Sequence, residues 1–248
     1  MRSHCYKPPS IHLAWVCDKG LVRPVNEDAL LLQMRTSVIS EGYQTGASEV
    51  ELSSDPLFLG VAESRGAGED ILRYIANAVF STESPRTGVE LREIIQNANR
   101  YQSDESNRRV DSPAIGATLT VALVDDRQAT IAQTGDTRCY LYRSDNLYRV
   151  TIDQSLVAQL ILSCQITSEE SQSHLQSNIS ISTLILRDKD RLLLLTDGIW
   201  RFVGCELIEE TVREANSPLA VVTRLKSRAI KNGGHDSFSV IAAQASIP

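Results

Sequence analysis

The hydrophobic pattern near the start of the chain predicts two strands joined by a loop. Apolar residues run up to Cys17 and resume over residues 29–32, and both runs have the length of a strand. Gly20 and Pro24 lie between the two runs, and both residue types are typical of turns. Residues 40–55 form a long polar stretch, for which we expect an exposed hairpin or an insertion.

A buried strand and two amphipathic helices are predicted next. Residues 57–62 form a continuous apolar run of strand length, and the run ends at the polar segment Glu63-Ser64-Arg65-Gly66. Apolar residues then recur at helical spacing in two groups, which are Ile71, Ile75 and Val79, and Leu91, Ile94, Ile95 and Ala98. The polar segment 102–114 that follows predicts a mobile connection.

The second half of the chain mixes strand and helix patterns. Strands are predicted at 118–124, 130–134, 139–142, 179–186, 191–196 and 238–243, and helices at 156–162, 168–175 and 219–230. Because strands and helices do not alternate one by one, a parallel doubly wound sheet is not expected. The pattern predicts an α+β fold in which helical pairs flank two antiparallel sheets.

Composition and charge narrow the class of protein. A chain of 248 residues, 42% of them hydrophobic, has room for one large domain or two small ones at about 150 residues per domain. The net charge is −6 and no basic run exceeds the Arg108–Arg109 pair, so the chain lacks the positive charge that nucleic acid binding requires. No apolar run approaches the ~20 residues of a membrane span, so we expect no membrane partner.

The cysteines and the N-terminal residues predict a cytoplasmic location. Five cysteines are widely spaced without a C-x-x-C pair, so neither a disulfide framework nor a zinc site is expected. The apolar stretch within residues 1–17 is too short for a secretory signal. We therefore expect a soluble protein of the reducing cytoplasm.

Acidic residues recur where the predicted strands meet loops, and the five are Asp28, Glu63, Asp136, Asp197 and Asp236. Aspartate is common in turns, so each acid taken alone is explained by turn formation. If the strand ends converge, however, carboxylates without histidine or cysteine nearby describe a site for Mg²⁺ or Mn²⁺. The sequence contains no motif for a serine nucleophile elbow, a zinc protease or a nucleotide phosphate.

Six short motifs, in the same order along the chain, resemble those of a known family. They are Gly20-Leu-Val-Arg-Pro-Val-Asn-Glu-Asp-Ala29, Gly116-Ala-Thr-Leu119, Gly135-Asp-Thr-Arg138, Asp153-Gln-Ser-Leu-Val157, Thr196-Asp-Gly198 and Gly233-Gly-His-Asp-Ser237. Each motif is unspecific alone. Together, over residues 15–243, they resemble the metal-dependent serine/threonine phosphatases of the protein phosphatase 2C type, especially the bacterial members.

The resemblance implies a fold and a reaction. The fold is a four-layer α/β/β/α sandwich, and we expect residues 1–248 to form a single domain of this kind. The reaction is the hydrolysis of phosphoserine or phosphothreonine in a phosphorylated protein substrate by a metal-activated water. Two Mg²⁺ or Mn²⁺ ions, or fewer, are the cofactors that the resemblance implies.

The resemblance also implies the residues of the site. The implied metal ligands are Asp28, Glu63, Ser64, Asp197 and Asp236, and Asp136 is a candidate ligand for a third ion. Arg23 is implied to bind the substrate phosphate, because the planar guanidinium fork matches two phosphate oxygens. Arg23 and Asp28 are the implied catalytic residues.

The chain departs from the family pattern close to these residues. Glu63-Ser64 stands where bacterial members have Asp-Gly, and Arg65 adds a cation beside them. The extra methylene of Glu63 displaces its carboxylate by more than ~1 Å, an error in positioning that can lower a rate by ~10²-fold. Ala114 replaces an acid that helps to hold the third metal, and the segment after Asn178 lacks the family's R-x-L-G stretch.

Two functions are consistent with these matches and departures. The first is an active phosphatase, with reduced activity, which the retained Arg23 and aspartates favour. The second is a pseudophosphatase, a regulatory module that binds a protein partner or a phosphopeptide without turnover, which the departures over 63–65 favour. The sequence leaves both functions open.

Overall fold

The structure is a computed structural model of the chain. It describes residues 8–41, 44–52, 55–64, 68–81, 88–108, 117–154 and 179–248. The helices predicted at 156–162 and 168–175, together with Arg65 and Ala114, lie outside the described residues.

The described residues form twelve strands and five helices. The strands are β1 (Ser10–Asp18), β2 (Asp28–Met34), β3 (Ser37–Glu41), β4 (Thr45–Glu51), β5 (Leu57–Glu63), β6 (Thr118–Asp125), β7 (Gln128–Thr134), β8 (Arg138–Arg143), β9 (Asn146–Arg149), β10 (Ser180–Ile185), β11 (Arg191–Leu195) and β12 (Phe238–Ser246). The helices are α1 (Gly68–Ser81), α2 (Gly88–Arg108), α3 (Asp197–Val203), α4 (Cys205–Glu214) and α5 (Pro218–Lys231).

The strands build two six-stranded sheets. The first sheet has the order β4-β1-β12-β11-β8-β9, and the second has the order β10-β7-β6-β5-β2-β3. Neighbouring strands are antiparallel throughout both sheets. This arrangement confirms the predicted sheets and agrees with the absence of a β-α-β alternation in the sequence.

Three apolar layers hold the sheets and helices together. Aliphatic side chains such as Leu59 and Leu194 fill the space between the two sheets. Ile199 and Leu225 belong to a second cluster, which joins α3, α4 and α5 to the outer face of the first sheet. A third cluster, which includes Ile75, joins α1 and α2 to the outer face of the second sheet. The result is the α/β/β/α sandwich predicted above, with an aliphatic core.

The polar stretch over 40–55 was expected to be an exposed hairpin or an insertion, and its strands β3 and β4 do not pair as a hairpin. β3 pairs with β2 in the second sheet, whereas β4 pairs with β1 in the first sheet. The segment therefore crosses from one sheet to the other. Both strands lie at sheet edges, where polar residues are usual. Their polar sequences therefore did not predict strands.

Two other sequence expectations about the helices need correction. The predicted mobile connection begins too early, because α2 continues to Arg108. No glycine or proline interrupts residues 102–108, so their polarity alone does not end the helix. The sequence pattern also missed α3 and α4, which are short and precede the predicted helix at 219–230.

No helix in the described part of the chain has the length and apolar character needed to cross a bilayer.

Candidate functional site

The acids predicted from the strand ends gather at one end of the sandwich. Asp28 begins β2 and is directly opposite Glu63, the last residue of β5, in the strand register. Asp197 follows the end of β11 and begins α3, and Asp236 lies two residues before β12. A hydrogen bond joins the two sheets here, in which the Thr196 hydroxyl donates to Asp28 Oδ2 over 2.6 Å.

Asp28 is the most deeply buried of these acids, with 1% of its surface exposed. The Thr196 hydroxyl that donates to Asp28 also accepts a hydrogen bond from the Ser239 amide at 2.8 Å, so its direction is set by the first sheet. Burial, together with the charges of Asp197 and Asp236, raises the pKa of Asp28 to about 7. Sequence analysis missed Thr196 as a site residue, although it belongs to a matched motif.

Backbone hydrogen bonds tie the loops of the site to one another. The Asp28 amide donates to Asn26 Oδ1 at 3.1 Å, and the Glu27 amide donates to Ser237 Oγ at 3.0 Å. The amide of the buried Ser64 donates to the Glu27 carbonyl at 2.8 Å. The segments before β2, after β5 and before β12 are thus held in contact, which places Asp28, Glu63 and Asp236 around one region.

Gly198 permits the close approach of α3 to the segment before β12. A Cβ atom added at Gly198 would lie 2.0 Å from the Ser237 carbonyl oxygen, a separation that no side chain tolerates. A glycine after Asp197 is therefore needed to bring Asp197 and Asp236 to the same end of the first sheet.

Negative charge accumulates at this end of the sandwich. Burial, and then the charges of Asp197 and Asp28, raise the pKa of Glu63 to about 8. Burial also raises the pKa of Asp197 to about 6, with further contributions from Asp136 and Asp236, while Arg201 opposes the shift. These carboxylates raise one another's pKa because their negative charges repel. A bound cation would offset that repulsion, so the cluster is a candidate cation site.

Arg23, the residue implied to bind phosphate, lies against an implied metal ligand. Its Nε and Nη2 atoms donate to the two carboxylate oxygens of Asp236 at 2.7 and 2.9 Å. Its Nη1 atom lies 3.3 Å from a carboxylate oxygen of Glu27. The structure therefore brings Arg23 and Asp236 together, but with the guanidinium fork engaged by a carboxylate.

A second arginine, for which the sequence predicted no role, engages two more of the acids. Arg201 Nη1 lies 2.9 Å from Asp197 Oδ2, and Arg201 Nη2 lies 3.5 Å from Asp136 Oδ2. Burial raises the pKa of Asp136 and Arg201 opposes the rise. The spacing of four residues between Asp197 and Arg201 was the available signal, because residues at i and i+4 are neighbours on a helix.

The donor atoms fit a hard divalent cation. Asp28 Oδ1 and Asp197 Oδ1 are buried and have no hydrogen-bond partner, although an unpaired buried oxygen is costly. A cation bound by both carboxylates would satisfy these atoms. Within the described ranges, no three His, Cys, Asp or Glu side chains already surround one cation position, which agrees with the engagement of Asp236 and Asp197 by arginines.

Cys17 lies beside the acids but does not have the properties of a nucleophile. Its Sγ atom accepts hydrogen bonds from Ser239 Oγ at 3.0 Å and from Asn26 Nδ2 at 3.3 Å. Burial, and then the charge of Asp28, raise the pKa of the thiol to about 12. The thiol stays protonated at neutral pH, so it is not activated for attack.

Comparison with known proteins places the chain among phosphatases. A family model described as Protein phosphatase 2C matches residues 58–229. The serine/threonine phosphatase stp of Listeria welshimeri is 25% identical over 261 residues, which cover 96% of this chain and 97% of that protein. Protein phosphatase PhpP of Streptococcus pneumoniae is 33% identical over 159 residues, or 58% of this chain and 62% of that protein.

A solved structure shares the fold. The crystal structure of the catalytic domain of serine threonine protein phosphatase PstP, in complex with two manganese ions, superimposes with a TM-score of 0.70. The match covers 96% of this chain and 100% of that domain at 24% sequence identity. This likeness supports the α/β/β/α sandwich along nearly the whole chain.

Proposed function

The chain belongs to the protein phosphatase 2C family, and from this premise we propose that it is a metal-dependent phosphatase of phosphoserine and phosphothreonine in proteins. One observation carries the proposal: Asp28, Glu63, Asp197 and Asp236 converge at one end of the sandwich, where two buried carboxylate oxygens lack partners. The relatives named above are serine/threonine or protein phosphatases, which supports the same substrate class.

Mg²⁺ or Mn²⁺ is the proposed cofactor, and these four carboxylates are the proposed ligands. Oxygen donors are the ligands that both ions prefer, and the PstP domain with the same fold was crystallised with two manganese ions. When bound, such an ion lowers the pKa of a coordinated water and offsets the negative charge of the phosphoryl group. The backbone carbonyl of Ser64 is retained in the proposal as a further ligand.

The chain's own residues position these groups. Thr196 holds one oxygen of Asp28 and leaves the other without a hydrogen bond, so the carboxylate keeps one orientation. Arg23 lies at the edge of the same region with its side chain one-third exposed. In the proposed function its fork leaves Asp236 and binds two oxygens of the substrate phosphate, because one guanidinium fork serves one bidentate partner at a time.

The alternative of a binding module without turnover has less support. The departures at Glu63, Ser64 and Arg65 favour it, but the related proteins named above are phosphatases. Glu63 still lies opposite Asp28, so a carboxylate is present at the end of β5. We also propose that residues 1–248 form one domain, and the cytoplasmic location predicted from the sequence belongs to the same proposal.

The test is phosphate release by the purified chain from p-nitrophenyl phosphate and from phosphoserine and phosphothreonine peptides. We expect release that requires Mn²⁺ or Mg²⁺, that EDTA abolishes, and that Asp197→Asn reduces by at least about 10²-fold. Glu209→Gln, a change in an exposed pair on α4, is the control and retains activity. Mn²⁺ binding without phosphate release from any of the substrates would favour the binding module instead.

A further inference from the structure

The guanidinium of Arg201 contacts one buried and one partly buried carboxylate, which come from different parts of the fold. Asp197 begins α3, whereas Asp136 lies in the connection between β7 and β8. The side chains of Asp197 and Asp136 are 6% and 15% exposed, while that of Arg201 is 51% exposed. The Arg201 side chain thus lies on the solvent side of the two acids. Its positive charge reduces the electrostatic repulsion between the carboxylates of Asp136 and Asp197.

Aromatic and ionic contacts hold this arrangement in place. Two arginines contact the Trp200 ring, with Arg138 Cζ 3.4 Å and Arg201 Cζ 5.2 Å from the ring centroid. Arg138 is itself committed to Asp153, to which it donates two hydrogen bonds of 2.9 and 2.6 Å. Among the described residues, the ion pairs of Asp136 and Asp197 are formed by Arg201.

Arg201 contacts Asp136 Oδ2 and Asp197 Oδ2, so a divalent cation bound between these two acids would compete with the guanidinium at those oxygens. Asp197 Oδ2 is bound to the guanidinium, and Asp197 Oδ1 is buried without a partner. The positive charge of Arg201, within 3.5 Å of both carboxylates, also repels a metal ion that approaches them. This repulsion is stronger in a partly buried site than in water. Asp136, predicted from the sequence as a candidate ligand of a third ion, is therefore paired with a cation that the chain supplies itself.

We propose that Arg201 is a resident cation that takes the divalent-ion position between Asp136 and Asp197, and so limits how many ions the site binds and how tightly. The proposal rests on the proposed function, because it takes Asp197 as a metal ligand. Arg201 acts on the reaction through the metal occupancy of Asp197, and is in this sense a positioning residue.

The chain offers a matched control for Arg201. Arg213 forms the same kind of i,i+4 pair, with Glu209 on α4, and its side chain is also 51% exposed. The two arginines differ in that Arg213 pairs with one surface carboxylate, whereas Arg201 contacts the buried Asp197 and the partly buried Asp136. An exposed ion pair such as Arg213–Glu209 contributes little to the free energy of unfolding.

The experiment measures Mn²⁺ binding to the metal-free full-length chain by titration calorimetry. We expect Arg201→Gln to bind one additional Mn²⁺ per chain, or to bind Mn²⁺ at least about tenfold more tightly than the wild type. Arg201→Lys, which keeps the charge, and Arg213→Gln are expected to bind as the wild type does. Adding Asp136→Asn to Arg201→Gln should remove the gain, because the added position needs both acids.

Three outcomes overturn the proposal. Unchanged stoichiometry and affinity in Arg201→Gln would show that Arg201 does not compete with the ion, and weaker binding would show that it supports the ligand instead. An equal gain in Arg213→Gln would reduce the effect to net charge. If Arg201→Gln does not fold, as judged by circular dichroism, Arg201→Met serves as the neutral variant with the same expectation.

The failure of this inference is distinguishable from failure of the proposed function. If the wild type binds Mn²⁺ and Asp197→Asn weakens that binding, the metal centre stands, whatever Arg201→Gln does. If neither the wild type nor Arg201→Gln binds Mn²⁺, both the metal centre and the role of Arg201 are wrong.

Discussion

Arg23 and Arg201 each hold a carboxylate that the family resemblance assigns to metal. Arg23 binds both oxygens of Asp236, and Arg201 binds one oxygen of Asp197. Asp28 and Glu63 form no ion pair with any residue in the described ranges, and burial raises their pKa values to about 7 and about 8, above the value of about 6 for Asp197. At the scale of single residues, the two arginines thus compete with a metal ion for two of the four proposed ligands.

Arg23→Lys tests the role of Arg23 toward substrate. Lysine keeps the positive charge but loses the fork, so we expect the KM for a phosphopeptide to rise by about tenfold. The affinity for Mn²⁺ should change much less, because the charge beside Asp236 is kept. Steady-state kinetics and calorimetry measure the two quantities, and a wild-type KM would remove Arg23 from phosphate binding.

At the scale of elements, one short helix supplies several parts of the site. α3 has seven residues and carries Asp197, Gly198, Trp200 and Arg201. Its first turn lies directly on the segment before β12, and Gly198 makes this contact possible. The position of Asp197 relative to Asp236 therefore depends on the packing of a single turn of helix.

Gly198→Ala tests this contact. Although alanine favours helix, its Cβ would overlap the Ser237 carbonyl oxygen, so we expect the free energy of unfolding to fall by about 1–3 kcal/mol. Because α3 must shift, Mn²⁺ affinity should fall as well. Urea unfolding and calorimetry measure the two effects.

Gly204→Ala is the comparison for Gly198→Ala. Gly204 has a φ of 83° and open space where a Cβ would be added, so alanine strains the backbone without a clash. This variant should lose stability while its Mn²⁺ affinity stays at the wild-type level. Equal losses of Mn²⁺ affinity in both variants would mean that general destabilisation, and not the position of α3, is responsible.

At the scale of the whole molecule, the site is formed by both sheets. Asp28 and Glu63 belong to the second sheet, while Thr196 and Ser239 belong to the segments of the first sheet that orient Asp28. Closing the sandwich therefore buries several carboxylates at the same end. The free energy of folding includes the cost of bringing these charges together without a metal.

This cost predicts how the stability of the metal-free protein depends on pH. The pKa values of Glu63, Asp28 and Asp197 in the folded chain, about 8, 7 and 6, all exceed those of unfolded carboxyl groups, so the folded state binds more protons. The stability that these groups contribute is present below about pH 4 and is lost as the pH rises to about 8.

We therefore expect the Tm of the metal-free chain to fall by at least about 4 °C between pH 5 and pH 8, which corresponds to about 1–2 kcal/mol at this chain length. Mn²⁺ should restore the Tm at pH 8, because a bound ion stabilises the charged carboxylates. In Asp197→Asn the fall should be smaller. Differential scanning calorimetry measures these values, and a Tm that rises from pH 5 to pH 8 without metal would contradict the assignment.

The sequence by itself determined most of the strands, the helices α1 and α5, the start of α2, and the acids at the strand ends. These features depend on the local period of apolar residues and on the residue types that favour turns, and both are present in a short stretch of sequence. The order of six motifs added the family and the α/β/β/α sandwich.

Only the tertiary structure decided which partners these acids have. β3 and β4 lie in different sheets, Thr196 reaches Asp28, and Arg23 and Arg201 are paired with Asp236 and Asp197. Asp28 and Thr196 are 168 residues apart in the chain, and Arg23 and Asp236 are 213 apart. No local pattern encodes such contacts, because they form only when the strand ends of two sheets are packed at the same end of the sandwich.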